Sequence, residues 1–340
     1  MNLLLAEWQR FFARRFTRIM LLFIVILMAV IAIGVGHDSR KLTAADYTNA
    51  RARAAAENAQ SDQDLAACQQ AQTAGTATEG TQYFLPQGVT CSDEFGFDDA
   101  LPAWFMPSSW VFADQSGQMI LLFGGILALL GFAAGASFVG AEWSSGGMAN
   151  LLLWRPRRLS LLGGKLLALL LSVLASGLVL GALWLGMLLL IAVTRGSIGH
   201  VSSGLAMSLA LGGVRSLTLG LFAAVAGFAI ASIGRNTASA LGVAVGYVIV
   251  VEGGGLLIFK ALDVTRPERF LLSRYVAAWL TKTQTFTGTT ICTQVEAGGS
   301  RCSSGPDWFM RMGSAAEVGA LIAAILLVWA FGAFWRRDVS

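Results

Sequence analysis

Six stretches of this chain, residues 19–36, 118–140, 166–193, 204–233, 239–259 and 316–335, are each apolar for long enough to cross a bilayer. A spanning helix needs ~20 mainly apolar residues, because lipid offers no partner to an unpaired backbone group. The expected fold class is therefore an all-α integral membrane protein with six transmembrane helices. Composition agrees: 55% of the 340 residues are hydrophobic and 13% are charged, where a soluble domain carries about 25% charged residues. The net charge of +4 is diffuse, and no basic helix or aromatic-basic pattern accompanies it, so a nucleic-acid partner is not expected.

The spans divide the chain into residues 1–36, an N-terminal interfacial helix and first span; 37–117, an outside loop domain; and 118–259, spans two to five with an inside loop at 141–165. Residues 260–315 form a second outside loop, and 316–340 the last span and tail. Charge chooses the side. The segments that share a side with the termini hold 11 Lys/Arg in 53 residues, against 12 in 147 on the opposite side. The denser side reads as cytoplasmic. Cys68, Cys91, Cys292 and Cys302 all fall in the two outside loops. Thiols confined to an oxidising side read as two disulfides, Cys68–Cys91 and Cys292–Cys302 being the local pairing. A zinc site is the rival, without a CxxC or clustered His to support it. A cleaved signal peptide is the rival for residues 1–36, but the apolar run is too long and no A-x-A site precedes His37.

Ahead of the first span, Leu4, Leu5, Trp8, Phe11, Phe12, Phe16 and Ile19 fall within an arc of about 140° on a helical wheel. Arg10, Arg14 and Arg18, spaced by four, occupy another face near Glu7. Such a helix is expected to lie in the cytoplasmic interface, its rings in the acyl boundary and its arginines at lipid phosphates. A plain positive flank for the first span is the alternative.

The inside loop carries the chemistry. After Gly140 and Glu142 come Trp143, Gly147, an apolar patch at Leu151, Leu152, Leu153 and Trp154, then Arg155, Pro156, Arg157, Arg158 and Lys165. Pro156 disfavours a helical Arg155, so a short helix should stop there. Glu142 is placed to answer Arg155, Arg157, Arg158 or Lys165. A charged hairpin held by its own salt bridge would satisfy the fold.

The order Gly140, Glu142, Gly147, Leu152, Leu153, Pro156, Arg158, Lys165 resembles the permease subunits of type-2 ABC exporters, the ABC-2-type transporter permease family. The resemblance implies that residues 143–153 are a coupling helix docked in a groove of an ATP-hydrolysing partner. Glu142 and Arg158 would hold the loop's shape, while Trp143 and Leu151–Trp154 transmit force. The chain has no G-x-x-x-x-G-K-[ST] loop, since Gly163-Gly164-Lys165 is followed by Leu166. ATP and Mg are thus expected on a separate ABC ATPase subunit, and this chain is not expected to be an enzyme. A second permease copy or homologous permease would complete the path, in contact with membrane lipids. Twenty Arg against four Lys fits a GC-rich bacterial genome, and a bacterial inner membrane with cytoplasmic termini is the implied location. The implied activity is export of a hydrophobic or amphipathic substrate; a non-transporting mechanotransmission or sensor subunit is the alternative.

Arg215 and Glu252 lie inside apolar spans, where an unpaired charge costs ~2.5–3.5 kcal/mol. They sit about 28 Å and 24 Å from the cytoplasmic ends of neighbouring spans at 1.5 Å per residue. Comparable depth suggests an intramembrane pair that locks an outer gate or meets substrate; separate snorkelling is the alternative. Gly253-Gly254-Gly255 should weaken the helix beside Glu252. Beyond it, Thr265 and Glu268 have capping-box spacing ahead of a short helix with Tyr275 and Trp279, lying on or dipping into the outer membrane face; an ordinary core helix of the outside domain is the alternative.

Thr43 to about Gln70 is Ala-rich and free of Gly and Pro, a helix capped by Thr43. Trp104 and Trp110 are expected at the outer interface. Gly131-x-x-x-Gly135, Gly177-x-x-x-Gly181 and Gly242-x-x-x-Gly246 could bring helices close. Gly135-Ala-Ser137-Phe138 superficially resembles an intramembrane serine-protease site, but His37 and His200 both lie in outside segments.

Overall fold

Each of the six apolar runs is helical in the computed structural model, which describes residues 2–77, 81–85, 89–95, 99–148, 158–262, 264, 266–287, 290–295, 299–304 and 306–336. In chain order the helices are α1 (Asn2–Ala13), α2 (Arg15–His37), α3 (Ala44–Thr73), α4 (Cys91–Phe95), α5 (Phe112–Ser144), α6 (Arg158–Thr194) and α7 (Ser203–Gly234). There follow α8 (Thr237–Tyr247), a π-helical turn at Val248–Gly253, α9 (Gly255–Ala261), α10 (Leu272–Thr281) and α11 (Met312–Arg336). The six of membrane-spanning length and hydropathy are α2, α5, α6, α7, the α8–α9 run and α11.

The fold is mostly helical (81%) rather than all-α. Two antiparallel hairpins interrupt the segment between α10 and α11: β1 (Thr283–Phe286) pairs with β4 (Trp308–Arg311), and β2 (Thr290–Val295) with β3 (Gly299–Ser304). Thr, Val, Ile, Phe and Trp make up nine of the 14 residues of β1, β2 and β4, and such residues suit a pleated surface better than a helix; β3 has none of them. Phe286 stands opposite Trp308, their rings stacked with centroids 4.4 Å apart. The inner hairpin sets Cys292 directly opposite Cys302; their side chains lie outside the described residues, as does Thr265 of the expected capping box.

The contacts define two compact units. The smaller comprises residues 32–112 and 189–199. Its helix α3 starts at a capping box: Asp46 N donates to Thr43 Oγ1 at 3.4 Å, while Thr43 N donates to Asp46 Oδ2 at 2.8 Å. Arg40 Nη2 lies 2.6 Å from Asp46 Oδ1. These donors hold the Asp46 carboxyl below its ordinary value, the Thr43 backbone amide contributing most, then the Thr43 hydroxyl, then Arg40. Cys68 and Cys91 form a disulfide that ties α3 to α4, and Asn58 Oδ1 accepts from Ala100 N at 2.6 Å. Trp110 is 3% exposed, packed inside this unit. Its backbone pairs with Ser197, whose amide donates to Trp110 O at 2.9 Å. A side chain at Gly196 would fall 2.0 Å from that oxygen, so only glycine permits the approach. Trp104, at 65% exposed, does face outward.

The larger unit, residues 1–31, 113–188 and 200–340, contains most of the membrane-spanning helices. Its tightest seam joins α5 to α7. A Cβ on Gly131 would lie 2.1 Å from Gly220 O, and one on Gly135 2.2 Å from Ala224 O. From the other side, a Cβ on Gly227 would meet Phe132 O at 2.2 Å. Backbones this close gain dispersion contacts that lipid cannot replace. Of the three small-residue motifs read from sequence, this one makes a backbone-to-backbone seam. Gly177 and Gly181 face the side chains of Leu217 and Phe123, whereas Gly242 and Gly246 have open space around them.

Candidate functional site

Helix α1 and the start of α2 do not form one straight interfacial rod. The chain bends at Arg14, separating α1 from α2. Glu7, Phe11 and Arg14 recur at i, i+4, i+7, which places them on one face of the turn. Glu7 is fully buried and Phe11 is 1% exposed. Through Phe11 and Arg14 that inward face, which includes only part of the aromatic arc, packs against α5. The Phe11 and Phe138 rings approach to 5.8 Å between centroids. Leu5, Phe16 and Ile19 face outward, and Trp8 and Phe12 are half-buried with ring centroids 5.4 Å apart.

Five charges meet here, the buried Glu7 among them. Lys165, itself fully buried near the start of α6, sets its Nζ 3.0 Å from Glu7 Oε1 and 2.6 Å from Glu142 Oε2. The second contact is close enough for an ion pair but out of line for a hydrogen bond, leaving Glu142 Oε2 without a donor. Arg14 Nη2 lies 2.6 Å from Glu142 Oε1, and its Nη1 donates to the carbonyls of Phe138 at 2.8 Å and Ser137 at 3.3 Å. Its guanidinium also lies over the Phe138 ring, 4.8 Å from the centroid. Arg10 reaches Glu7 Oε1 at 3.2 Å from the periphery. A buried ion pair repays its desolvation only when several partners satisfy it; here Lys165, Arg10 and Arg14 serve one oxygen of each carboxylate by hydrogen bond, while Glu7 Oε2 and Glu142 Oε2 accept none.

Arg14 therefore leaves the lipid-facing role expected of it and becomes an internal tie. Arg18 turns back on Ala13 O, and Arg10 remains half outward. Of the candidate partners for Glu142, Lys165 is realised and Arg14 is added. Arg155 and Arg157, with Leu152, Leu153, Trp154 and Pro156, lie outside the described residues, as does the side chain of Arg158. Gly147 borders an open cavity of about 470 Å³ together with Arg10, Ala13, Arg14 and Glu142. Trp143 packs edge-on against Phe334 of α11 at 5.9 Å, and the Arg235 guanidinium covers its ring at 5.1 Å. The residue that sequence reasoning passed over is Glu7. Its signal was an acid isolated on a basic, aromatic helix, three and seven residues before Arg10 and Arg14.

A second constellation lies at the other predicted pair. Arg215 and Glu252 do not meet. The Glu252 carboxylate accepts from Ser273 N at 2.9 Å, Ser273 Oγ at 2.6 Å and Tyr247 OH at 3.0 Å. Tyr247 OH in turn accepts from Leu272 N at 2.9 Å. Arg215 Nη1 donates to Leu280 O at 2.9 Å, and Trp279 Nε1 donates to Arg215 O at 3.0 Å. The two charges thus grip opposite ends of α10. The expected direct pair is not formed, because orphan backbone groups at the ends of α10 compete for both charges.

The family model for ABC-2 family transporter proteins matches residues 1–339. The chain belongs to the ABC-2 transporter permease family. Such permeases are generally paired with ABC ATPase subunits, and the ring of charges sits at both ends of the loop expected to meet such a partner. No curated protein and no solved structure matches this permease.

Proposed function

We propose that this permease is the membrane subunit of an ATP-driven exporter, moved by a separate ATPase that binds the loop between α5 and α6. The observation that carries the reading is the Glu7–Lys165–Glu142–Arg14 network. It fastens both stems of that loop, the last turn of α5 and the start of α6, to the N-terminal helix. A push on the loop then moves α1, α5 and α6 as one body, since separating them would strand a buried charge. Trp143 extends the contact to α11 through Phe334.

ATP and Mg would be held by the partner, and the chemistry of hydrolysis would be theirs; this chain supplies the mechanical link. In this reading the charge network lies on the cytoplasmic side of a bacterial inner membrane, with the termini on that side as the basic bias directs. The disulfide and the hairpins lie on the oxidising face. Two permeases and two ATPase domains would enclose a path for a hydrophobic or amphipathic cargo.

The test is to purify the tagged permease in mild detergent, identify the co-purifying ATPase, and reconstitute both in vesicles. ATP-dependent loss of cargo from the ATPase side is expected. Full transport by the permease without an ATPase would overturn the proposal, and so would labelling of Ser145 cysteine variants from outside intact cells. ATP hydrolysis that alters the outer loops without moving cargo would instead indicate a mechanotransmission subunit.

A further inference from the structure

Between α9 and α11 the chain builds a stack of two rings and surrounds it with cations. Trp308 of β4 lies against Phe286 of β1, with centroids 4.4 Å and planes 18° apart, so Phe286 covers one face of the indole. Two guanidinium groups lie over Trp308 as well, Arg269 at 5.1 Å and Arg266 at 5.7 Å from the ring centroid. With one face taken, both arginines share the other. Arg266 reaches it from a left-handed backbone, φ 63°, a conformation strained for an arginine. Arg274 lies 6.0 Å from the Phe286 centroid, and its Nε is buried without a hydrogen-bond partner.

A guanidinium lying on a ring spends its face and keeps its N–H edge for an acceptor. Arg266 and Arg269 are both exposed. Among the described residues no ion pair joins either of them to a carboxylate, Glu268 and Asp307 included. Two cations side by side on one indole face repel each other until an anion lies between them. The position of the cluster selects the source of that anion. Met312 N donates to Lys282 O at 2.8 Å, which joins the β1–β4 pair directly to the spanning helix α11. Phe270, next to Arg269, and Phe309, next to Trp308, are 57% and 55% exposed. Basic groups flanked by exposed rings at the end of a span suit the head-group layer of a bilayer.

We propose that Arg266 and Arg269, held on the open face of Trp308, bind the phosphate of an anionic phospholipid at the membrane boundary. Their planar forks match phosphate oxygens, and the neighbouring rings meet the acyl side. Binding is measured without ATP or a partner, so the inference does not depend on the exporter reading.

The experiment counts lipid bound to the purified permease in neutral maltoside micelles by native mass spectrometry, with dioleoylphosphatidylglycerol and dioleoylphosphatidylcholine as probes. Saturable binding of phosphatidylglycerol in preference to phosphatidylcholine is expected. Arg266→Gln with Arg269→Gln should weaken the tightest phosphatidylglycerol about tenfold or more and leave phosphatidylcholine unchanged. Arg51→Gln with Arg53→Gln, which removes the same charge from exposed positions of α3, should change neither. Excess inorganic phosphate should not displace the lipid. Equal affinity of the wild type for the two lipids would overturn the assignment without recourse to a variant. Undiminished phosphatidylglycerol binding in the Arg266 and Arg269 double variant would do the same. So would an equal loss in the Arg51 and Arg53 control, which reduces the effect to net charge, or displacement by inorganic phosphate, which assigns a free anion.

Discussion

Arg215 and Glu252 hold opposite ends of the same ten-residue helix. Glu252 accepts from the amide and hydroxyl of Ser273 and, through Tyr247 OH, serves the amide of Leu272 at the start of α10, whose preceding residue, Leu271, makes no side-chain cap. Arg215 supplies a donor to Leu280 O in its last turn. Each charge has the sign that the helix dipole favours at its end. Two charged residues that would be costly in a membrane are thereby compensated through a third element.

Because the compensation runs through α10, exchanging the charges should fail. Arg215→Glu with Glu252→Arg places each sign at the wrong helix end. Slower hydrogen exchange at Leu272 and Ser273 in the wild type than in Glu252→Gln is expected, with a loss of about 1–2 kcal/mol in local protection. Restored protection in the exchanged double variant would indicate a direct ion pair instead.

At the charge network, removing one partner should cost more than removing two. Lys165→Met leaves Glu7 and Glu142 without their shared cation, at about 3–5 kcal/mol. Adding Glu7→Gln should return part of that loss, with a coupling of about 0.5–3 kcal/mol in thermal unfolding of the detergent-solubilised permease. Additive losses would mean that the Glu7–Lys165 contact carries no energy.

Glu142 offers a functional counterpart. Glu142→Gln keeps the size of the side chain but gives up its charge toward Arg14 and Lys165. Membrane insertion should be unaffected while ATP hydrolysis stimulated by the permease falls severalfold. Undiminished stimulation in a correctly inserted variant would remove Glu142 from the mechanical link.

The α5–α7 seam predicts a steric penalty from a single methyl. Gly131→Ala directs its Cβ at Gly220 O, which a backbone cannot yield without moving the helix. A cost of about 1–3 kcal/mol is expected, read as a lower unfolding temperature. Gly242→Ala, which meets nothing within 4 Å, should be neutral and serves as the control.

In the smaller unit, the depressed Asp46 carboxyl links stability to acid. Its folded value lies below the ordinary 3.8, so its contribution is complete above that pH and fades as pH falls through the lowered value. Proteolysis of the α3 N-terminus should therefore rise in acid below that point. Asp46→Asn should show raised cleavage at neutral pH and little further change on acidification.

The six spans, the Thr43 cap and the Cys68–Cys91 bridge were legible because each rests on local chemistry: run length, a side chain three residues from its partner amide, and proximity along the chain. The hairpins between α10 and α11 were hidden by short runs too polar for a strong period-two pattern. Glu7 was hidden differently. Its identity as an acid was plain, but nothing local announces that the polar face of α1 turns inward.

What the sequence alone determined is the number of helices long and apolar enough to cross a membrane and the family to which the chain belongs, since apolar length and residue order survive without knowledge of neighbours. The tertiary structure decided who neutralises whom. Arg14 went to Glu142 rather than to lipid, and Arg215 and Glu252 to α10 rather than to each other. A buried charge pairs with whatever packing brings within about 3 Å, and that distance is fixed only when helices remote in sequence have met.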